Sequence, residues 1–184
     1  ERVHKNNKNL TASKKTSYES PETTHYSVVD RWGNAVSVTT TINLGYGNGC
    51  VVEGAGFFLN NEMDDFSSKP GVPNAFGLIG NEANAVGPGK RPLSSMTPTI
   101  VLKDSKPYII IGSPGGSTII TTTMQTILNV VDHDMDIKEA VCASRFHSQW
   151  LPDVIQYEPR SLIEDLKKAL EKKGHKLVQR GGYI

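Results

Sequence analysis

The sequence predicts an α+β fold of layered sheets and helices, on three observations. Two stretches of alternating apolar and polar residues, each broken by a tight turn, occupy the first half of the chain. Helical periodicity begins only after Ser117 and dominates the second half. Between them stands a Gly-Gly pair where a strand runs into a helix N-terminus, and hairpins followed by helices are the pattern of an α+β domain.

Taken in order, residues 1–22 hold almost no apolar side chains and are rich in Lys, Asn, Ser and Thr. Such a segment buries too little surface to offset its ordering entropy, so it reads as a mobile leader or linker. Its Asn9-Leu10-Thr11 triplet fits the glycosylation pattern, which is common by chance. Residues 25–30 read as a strand, Arg31-Trp32-Gly33-Asn34 as a turn and residues 35–42 as an alternating strand, which together make a hairpin. A Gly-rich stretch over 45–56 leads to a short predicted strand at 57–60. Residues 62–92 show no periodicity and are broken repeatedly by Pro and Gly, and a loop that long inside a compact domain is usually a lid or a binding loop.

Residues 99–103, the Asp104-Ser105 turn and residues 107–111 give a second hairpin, ending in Gly112-Ser113-Pro114-Gly115-Gly116. Residues 117–131 then carry Ile120, Met124, Ile127, Leu128 and Val131 at helical spacing. Asp136 with Glu139, and Ser161 with Glu164, fit capping boxes for two further helices, and Gly174 fits the stop of the second. Strands at 154–157 and 175–179 complete the set.

The chain of 184 residues points to one domain or one large piece of a domain. A hydrophobic fraction of 37% and a charged fraction of 21% are those of an ordinary globular protein. Twenty basic against 19 acidic side chains leave a net charge of +1, which argues against nucleic acid as a partner. No apolar stretch approaches the ~20 residues that cross a bilayer, and nothing near Glu1 resembles a secretion signal. Cys50 and Cys142 lack metal-ligand or CxxC spacing. Asp132-His133-Asp134-Met135-Asp136 fails as a calcium loop, because Ile137 stands where Gly is needed and Ala143 where Glu is needed. The sequence thus implies neither metal nor cofactor.

Five segments carry a more specific message: Thr23-Thr24-His25-Tyr26-Ser27-Val28-Val29-Asp30, Thr41-Ile42-Asn43, Asn60-Asn61-Glu62-Met63-Asp64-Asp65-Phe66, Lys90-Arg91-Pro92-Leu93-Ser94-Ser95-Met96 and Gly112-Ser113-Pro114-Gly115-Gly116. In this order and spacing they resemble the small subunit of γ-glutamyltranspeptidase, an N-terminal-nucleophile hydrolase. The resemblance runs from Thr23 almost to Ile184. It implies an αββα four-layer sandwich, represented here by the small-subunit half. It also implies a precursor that cuts itself before Thr23 into a large and a small subunit. Residues 1–22 would then be a leader or large-subunit tail, and residues 23–184 a small-subunit catalytic region that is C-terminally incomplete.

The chemistry explains why Thr23 must become a chain terminus. A threonine hydroxyl is a weak nucleophile, whereas a free α-amine with a pKa of about 7.7–8.0 can serve as its base. Before cleavage that nitrogen is an amide and takes no proton. By adjacency Thr24 competes for the role; the family pattern puts the nucleophile first. Thr41 ends the strand that folds back beside Thr23, and by resemblance it orients and activates the nucleophile. Gly115 and Gly116 suit an oxyanion hole, or only a tight bend.

Recognition of a γ-glutamyl group requires a cationic α-amine and an anionic α-carboxylate to be held together. Carried over residue by residue, Asn43, Glu62 and Asp65 match the amine ligands, and Ser94 and Ser95 the donors to the carboxylate. Taken singly, acidic loop residues are most often solvated and Ser-Ser after Pro is most often a turn. The family adds an Arg from its large subunit. Residues 70–80 resemble the lid of bacterial members, with Phe76 where some have Tyr, and Arg145-Phe146-His147-Ser148-Gln149-Trp150 matches a family segment read here as packing. The implied partners are the large subunit in a heterodimer, glutathione or another γ-glutamyl donor, and an amino acid or water as acceptor. Related cephalosporin acylases and poly-γ-glutamate depolymerases share the scaffold, and an uncleaved copy would be a non-catalytic γ-glutamyl-binding fragment. The resemblance places the protein in the periplasm or outside the cell.

Overall fold

The structure is a computed structural model and describes residues 23–181 and Ile184. The leader, with its Asn9-Leu10-Thr11 triplet, lies outside the described residues. Strands β1 (Thr24–Val29) and β2 (Ala35–Thr40) form the first hairpin, with Thr24 opposite Thr40 and Val29 opposite Ala35. Its turn is closed by the Asp30 carboxylate, which accepts the N–H groups of Trp32 at 2.8 Å and Asn34 at 2.9 Å while Gly33 takes a φ of +87°. Strands β3 (Thr99–Lys103) and β4 (Lys106–Ile111) form the second, joined by Asp104 and Ser105 with φ of +51° and +62°. Two successive positive φ values are the signature of a type I′ turn.

The hairpins meet through side chains of the first and carbonyls of the second. Ser27 Oγ donates to the Ile110 carbonyl at 3.0 Å and Ser37 Oγ to that of Ile111 at 3.1 Å. The imidazole of His25 lies against Gly112, where an added Cβ would stand 2.3 Å from Nδ1, so residue 112 has no room for a side chain. The second hairpin then feeds a 3₁₀ turn (Gly116–Thr118) and helix α1 (Ile119–Val131).

Periodicity locates α1 but marks the face turned outward. Ile119, Thr122, Thr123 and Thr126 are buried at helical spacing, whereas Ile120, Met124, Leu128 and Val131 are exposed. The buried threonines find local acceptors: Thr126 Oγ1 donates to the Thr122 carbonyl at 2.9 Å and Thr122 Oγ1 to that of Ile184 at 3.2 Å. A hydroxyl that satisfies itself this way costs little inside a packed layer.

Helix α2 (Ile137–Cys142) opens with the expected capping box, Glu139 N–H on Asp136 Oδ1 at 2.8 Å and Asp136 N–H on Glu139 Oε2 at 3.1 Å. Strands β5 (Phe146–His147), β6 (Ile155–Tyr157) and β7 (Leu177–Gln179) form a sheet in that order, antiparallel and then parallel. Helix α3 (Glu164–Lys172) is the crossover between β6 and β7. It ends at Gly174, which has φ +93° and donates to the Glu171 carbonyl at 2.9 Å.

Two expectations are corrected. Residues 57–60 form no strand: Val51 and Phe58 make one isolated bridge, and Gly47 passes so close to the Leu59 carbonyl that a Cβ would sit 1.9 Å from it. The glycine turns bend the backbone out of ladder geometry. Ser161 does not cap α3, because its hydroxyl donates to the Glu158 carbonyl at 2.8 Å, and the helix starts after Ile163 with no side-chain cap. No described helix is long and apolar enough to cross a membrane.

Glu158 holds this second half together. Its buried carboxylate accepts the N–H of Arg145 at 3.0 Å and of Ile184 at 2.6 Å, and pairs with the Arg145 guanidinium at 3.5 Å. Arg145 also bonds the Val141 carbonyl at the end of α2. Removing one member of such a pair strands the other charge, so Glu158→Ala is expected to cost about 3–5 kcal/mol. Glu158→Gln, which keeps an oxygen for one of the two N–H groups and leaves no carboxylate charge to bury, is expected to cost less. Denaturant unfolding of the two variants measures the order.

Candidate active site

Continuing the register of the first hairpin by one residue sets Thr23 opposite Thr41, and the two hydroxyls lie 3.1 Å apart. Thr41 Oγ1 also accepts the Asn43 N–H at 2.9 Å. That second bond turns the chain sharply, giving Asn43 a φ of +75°, a conformation that Asn tolerates better than most residues. Thr23 and Asn43 are both 8% exposed. The Asn43 amide donates to the Asn61 carbonyl at 3.1 Å, and Asn61 returns its side-chain oxygen to the Leu44 N–H at 3.0 Å. These bonds zip the end of β2 to the loop that carries the acidic residues.

That loop enters a 3₁₀ turn at Glu62–Asp65, prepared by an Asx turn in which Asn60 Oδ1 accepts the Glu62 N–H at 3.0 Å. Residues i and i+3 eclipse in a 3₁₀ turn, so Glu62 and Asp65 emerge on one side while Met63 points to solvent. The two carboxyls share a hydrogen bond, and burial followed by the Asp65 charge pushes Glu62 up to about 7. Burial also raises Asp65, with a smaller contribution from Asp64, while the bond from Glu62 works the other way. Between them the two carboxyls hold a proton more readily than separate ones would. Its Oε1 is buried and accepts no hydrogen bond from any described residue. An acid pair of this kind, with an oxygen unserved, is a place for a cation.

Both threonines, Asn43, Glu62, Asp65, Ser94, Ser95 and Gly116 line one small, half-open cleft, with Phe76, Met96 and Ile119 as its apolar walls. Eight of the nine residues expected at a site are thereby brought together. The ninth, Gly115, stays behind the lining. With a φ of +131° it caps the helix entry, its carbonyl accepting from the Thr118 N–H at 3.1 Å and the Thr118 hydroxyl at 2.8 Å. Among the described residues no acceptor faces the N–H of Gly116, which opens the 3₁₀ turn as a free donor. Ser94 Oγ accepts the Met96 N–H at 3.1 Å, so its own hydrogen is available to a ligand.

Sequence reasoning gave no role to Asn61, although two consecutive Asn before an acidic turn are an Asx-turn signal, nor to Met96 and Ile119, which carry no chemical signal. A larger, shallower depression beyond the acidic turn, lined by Leu44, Asn48 and Asp64 among others, lacks a nucleophile and an acid pair. Among the described residues no group of His, Cys, Asp and Glu has the arrangement of a metal site.

Comparison with known proteins bears on the family. The family model for gamma-glutamyltranspeptidase matches residues 1–183. The chain is 57% identical to the glutathione hydrolase proenzyme of Escherichia coli over 161 residues, 88% of this chain and 28% of that protein. Against the glutathione hydrolase proenzyme of Bacillus subtilis strain 168 the identity is 45% over 155 residues, 84% and 24% of the two lengths. The chain thus spans about a quarter of these curated relatives. A mutant of Helicobacter pylori gamma-glutamyltranspeptidase superimposes with a TM-score of 0.84 at 59% identity, over 87% of this chain and 86% of that one. The Bacillus anthracis transpeptidase CapD gives 0.61 at 25% identity, over 86% and 78%.

The acid pair makes a prediction about pH. A carboxyl raised in the folded state keeps a proton that the unfolded chain loses, so its contribution to stability is present at low pH. That contribution disappears as pH rises from 4.5 through about 7. Glu62→Gln removes the penalty of ionising, and its melting temperature should match wild type near pH 5 and exceed it increasingly toward pH 8. Thermal unfolding across that range measures the difference; a constant offset would mean that Glu62 titrates normally.

Proposed function

The chain belongs to the γ-glutamyltranspeptidase family and has the N-terminal-nucleophile hydrolase fold that its resemblance implied, and on that footing we propose that it supplies the nucleophile and the glutamyl-binding cleft of a γ-glutamyl transferase or glutathione hydrolase. One observation carries the reading: a paired threonine hydroxyl and an acid pair lacking a cation open into the same small cleft.

In the precursor the Thr23 hydroxyl attacks the carbonyl of Glu22, moving the acyl group from nitrogen to oxygen, and water then hydrolyses the ester. Residues 1–22 stay with the large subunit, and Thr23 becomes the first residue of the small one. The Thr23 nitrogen is now an amine and takes the proton of its own hydroxyl as Oγ1 attacks the γ-carbonyl of a donor. Thr41, a hydrogen bond away, fixes the direction of that attack. Negative charge on the tetrahedral oxygen falls to the free N–H of Gly116, with Gly115 setting the bend that aims it. The leaving amine takes the proton from the terminal amine, and water or an amino acid then releases the glutamyl group from the Thr23 ester.

Glu62, Asp65 and the Asn43 amide oxygen hold the α-ammonium of the donor, and the hydroxyls of Ser94 and Ser95 meet its α-carboxylate. No Lys or Arg stands among the residues lining the cleft. The compensating cation for the carboxylate is therefore assigned to the large subunit, as is the cover for the apolar face of α1 (Ile120, Met124, Leu128 and Val131). The whole belongs in the periplasm or outside the cell.

Thr23→Ala should abolish both self-cleavage and transfer, and the intact mass of the precursor reads the first directly. Equal processing of mutant and wild type would point to an external protease. Asp65→Ala should still process, since the donor takes no part in self-cleavage. It should lose about 2–5 kcal/mol of donor binding or transition-state stabilisation, roughly 30-fold to several-thousand-fold in kcat/KM. In that variant a glutaryl amide, which has no ammonium, should lose its disadvantage against the γ-glutamyl amide. An unchanged preference would mean that Asp65 does not read the amine.

A further inference from the structure

Residues 70–80 form a compact hairpin beside the cleft, and Phe76 at its tip is part of the lining. The hairpin is ordered from within. Pro73 and Ile79 make a bridge, Gly71 N–H reaches the Gly80 carbonyl at 2.9 Å, and Asn74 Oδ1 accepts from both Phe76 and Leu78 at 3.0 Å. Such a unit moves as one piece. Its position over the cleft depends on what holds the tip from outside.

Among the described residues two hydrogen bonds do so. On one side the Ala75 N–H donates to Asp64 Oδ2 at 3.1 Å, in the turn that carries the acid pair. On the other the Phe76 carbonyl accepts Gln149 Nε2 at 3.3 Å, from a segment 73 residues away. We propose that Gln149, oriented by the buried imidazole of His147, is a positioning residue that clamps this hairpin over the donor and thereby sets how tightly the donor is held. The proposal rests on the functional reading above and gives a role to the Arg145–Trp150 segment, which that reading left unused.

The hydrogen-bond directions follow from the atoms present. Gln149 Nε2 faces two carbonyls, those of Phe76 and, at 3.2 Å, Leu151, so the nitrogen end of the amide must point there. Its oxygen then faces His147 Nε2 at 2.9 Å, which makes that nitrogen the donor. The other ring nitrogen, Nδ1, lies 2.8 Å from Thr121 Oγ1 on α1 and accepts its hydrogen in the neutral ring. Thr121 has a second acceptor in the Thr118 carbonyl at 3.1 Å, the longer of its two contacts. His147 is 2% exposed and has both nitrogens engaged, so the ring cannot turn without breaking a buried bond. A rigid helix thus fixes an imidazole, the imidazole fixes an amide, and the amide holds the side of the hairpin opposite the Asp64 bond.

The test uses the assembled, self-cleaved enzyme. Gln149→Glu keeps the shape and the acceptor for His147 but turns an oxygen toward the Phe76 and Leu151 carbonyls. KM for a γ-glutamyl donor should rise about 5- to 100-fold, the range for leaving a polar group unserved, with kcat changed less than about threefold. Chymotryptic cleavage after Phe76, followed by mass, should accelerate, whereas self-cleavage before Thr23 should proceed as in wild type and so control for folding. His147→Leu should show the same two effects. His147→Gln should largely reverse them, because a glutamine amide can donate into Gln149 where the imidazole did. KM and chymotryptic cleavage both unchanged in Gln149→Glu would overturn the proposal. So would a loss confined to kcat, or faster cleavage without a rise in KM. If the wild-type enzyme processed no γ-glutamyl donor at all, the functional reading would fail, and the cleavage rate alone would then decide whether Gln149 clamps the hairpin.

Discussion

The hydroxyl of Thr41 is the point on which the cleft depends. It has two lone pairs and one hydrogen, and it accepts from the Thr23 hydroxyl and from the Asn43 N–H. The first bond joins Thr23 and the second belongs to the turn that carries Asn43 toward Asn61 and the acidic loop. On the proposed reading a single oxygen thus joins the nucleophile to the group that reads the substrate. Valine at this position would fill nearly the same volume, but it would leave the Asn43 N–H without its acceptor and release the left-handed turn. Distance between nucleophile and binding group is therefore set by one hydrogen-bonded corner, not by the packing of a large core.

Electrostatics complete what that corner begins. Two carboxyls are placed side by side by the 3₁₀ turn, partly buried, with no basic residue among the cleft lining to neutralise them. Burial, and after it the Asp65 charge, push Glu62 up to about 7, so without a cation beside them the pair favours a proton. On the proposed reading a donor ammonium replaces that proton with a better-placed positive charge. The cost of keeping two acids together is thereby returned on binding, and a donor without the ammonium gains nothing from them. Discrimination of this kind needs no tight steric fit, which suits a cleft whose apolar walls are only Phe76, Met96 and Ile119.

Legibility of the fold follows the range of the interaction that determines each part. The two hairpins and the capping box of α2 are written within a few residues, in alternation, in Asp30 and Gly33, and in Asp136 with Glu139, and all were legible. Residues 57–60 have the composition of a strand, but whether they pair depends on glycines ten residues earlier, whose approach to Leu59 is a matter of three-dimensional closeness. Ser161 has the spacing of a cap and loses it to a carbonyl three residues back that competes for the same hydroxyl. The site residues were named through motifs, since nothing local in Ser94, Asn43 or Gly116 marks them. Their convergence from positions 23 to 119 is visible only in the folded chain.

Helix α1 shows how the same physics works at the level of the whole molecule. Its apolar stripe is the feature that made it recognisable, yet that stripe is turned outward, and the helix packs inward through Ile119 and a row of threonines. A helix facing water on one side would bury its leucines and isoleucines and expose its threonines. The reversal makes sense if both faces are covered: the inner one by the rest of this chain, where small hydroxylated residues allow close approach, and the outer one, on the proposed reading, by the large subunit. The 3₁₀ turn that feeds α1 begins at the free N–H of Gly116, and the first turn of α1 carries Ile119 into the cleft and Thr121 to His147. Whatever covers the outer stripe therefore presses on the element that carries these groups, so on the proposed reading assembly and catalytic geometry are coupled through one rigid helix.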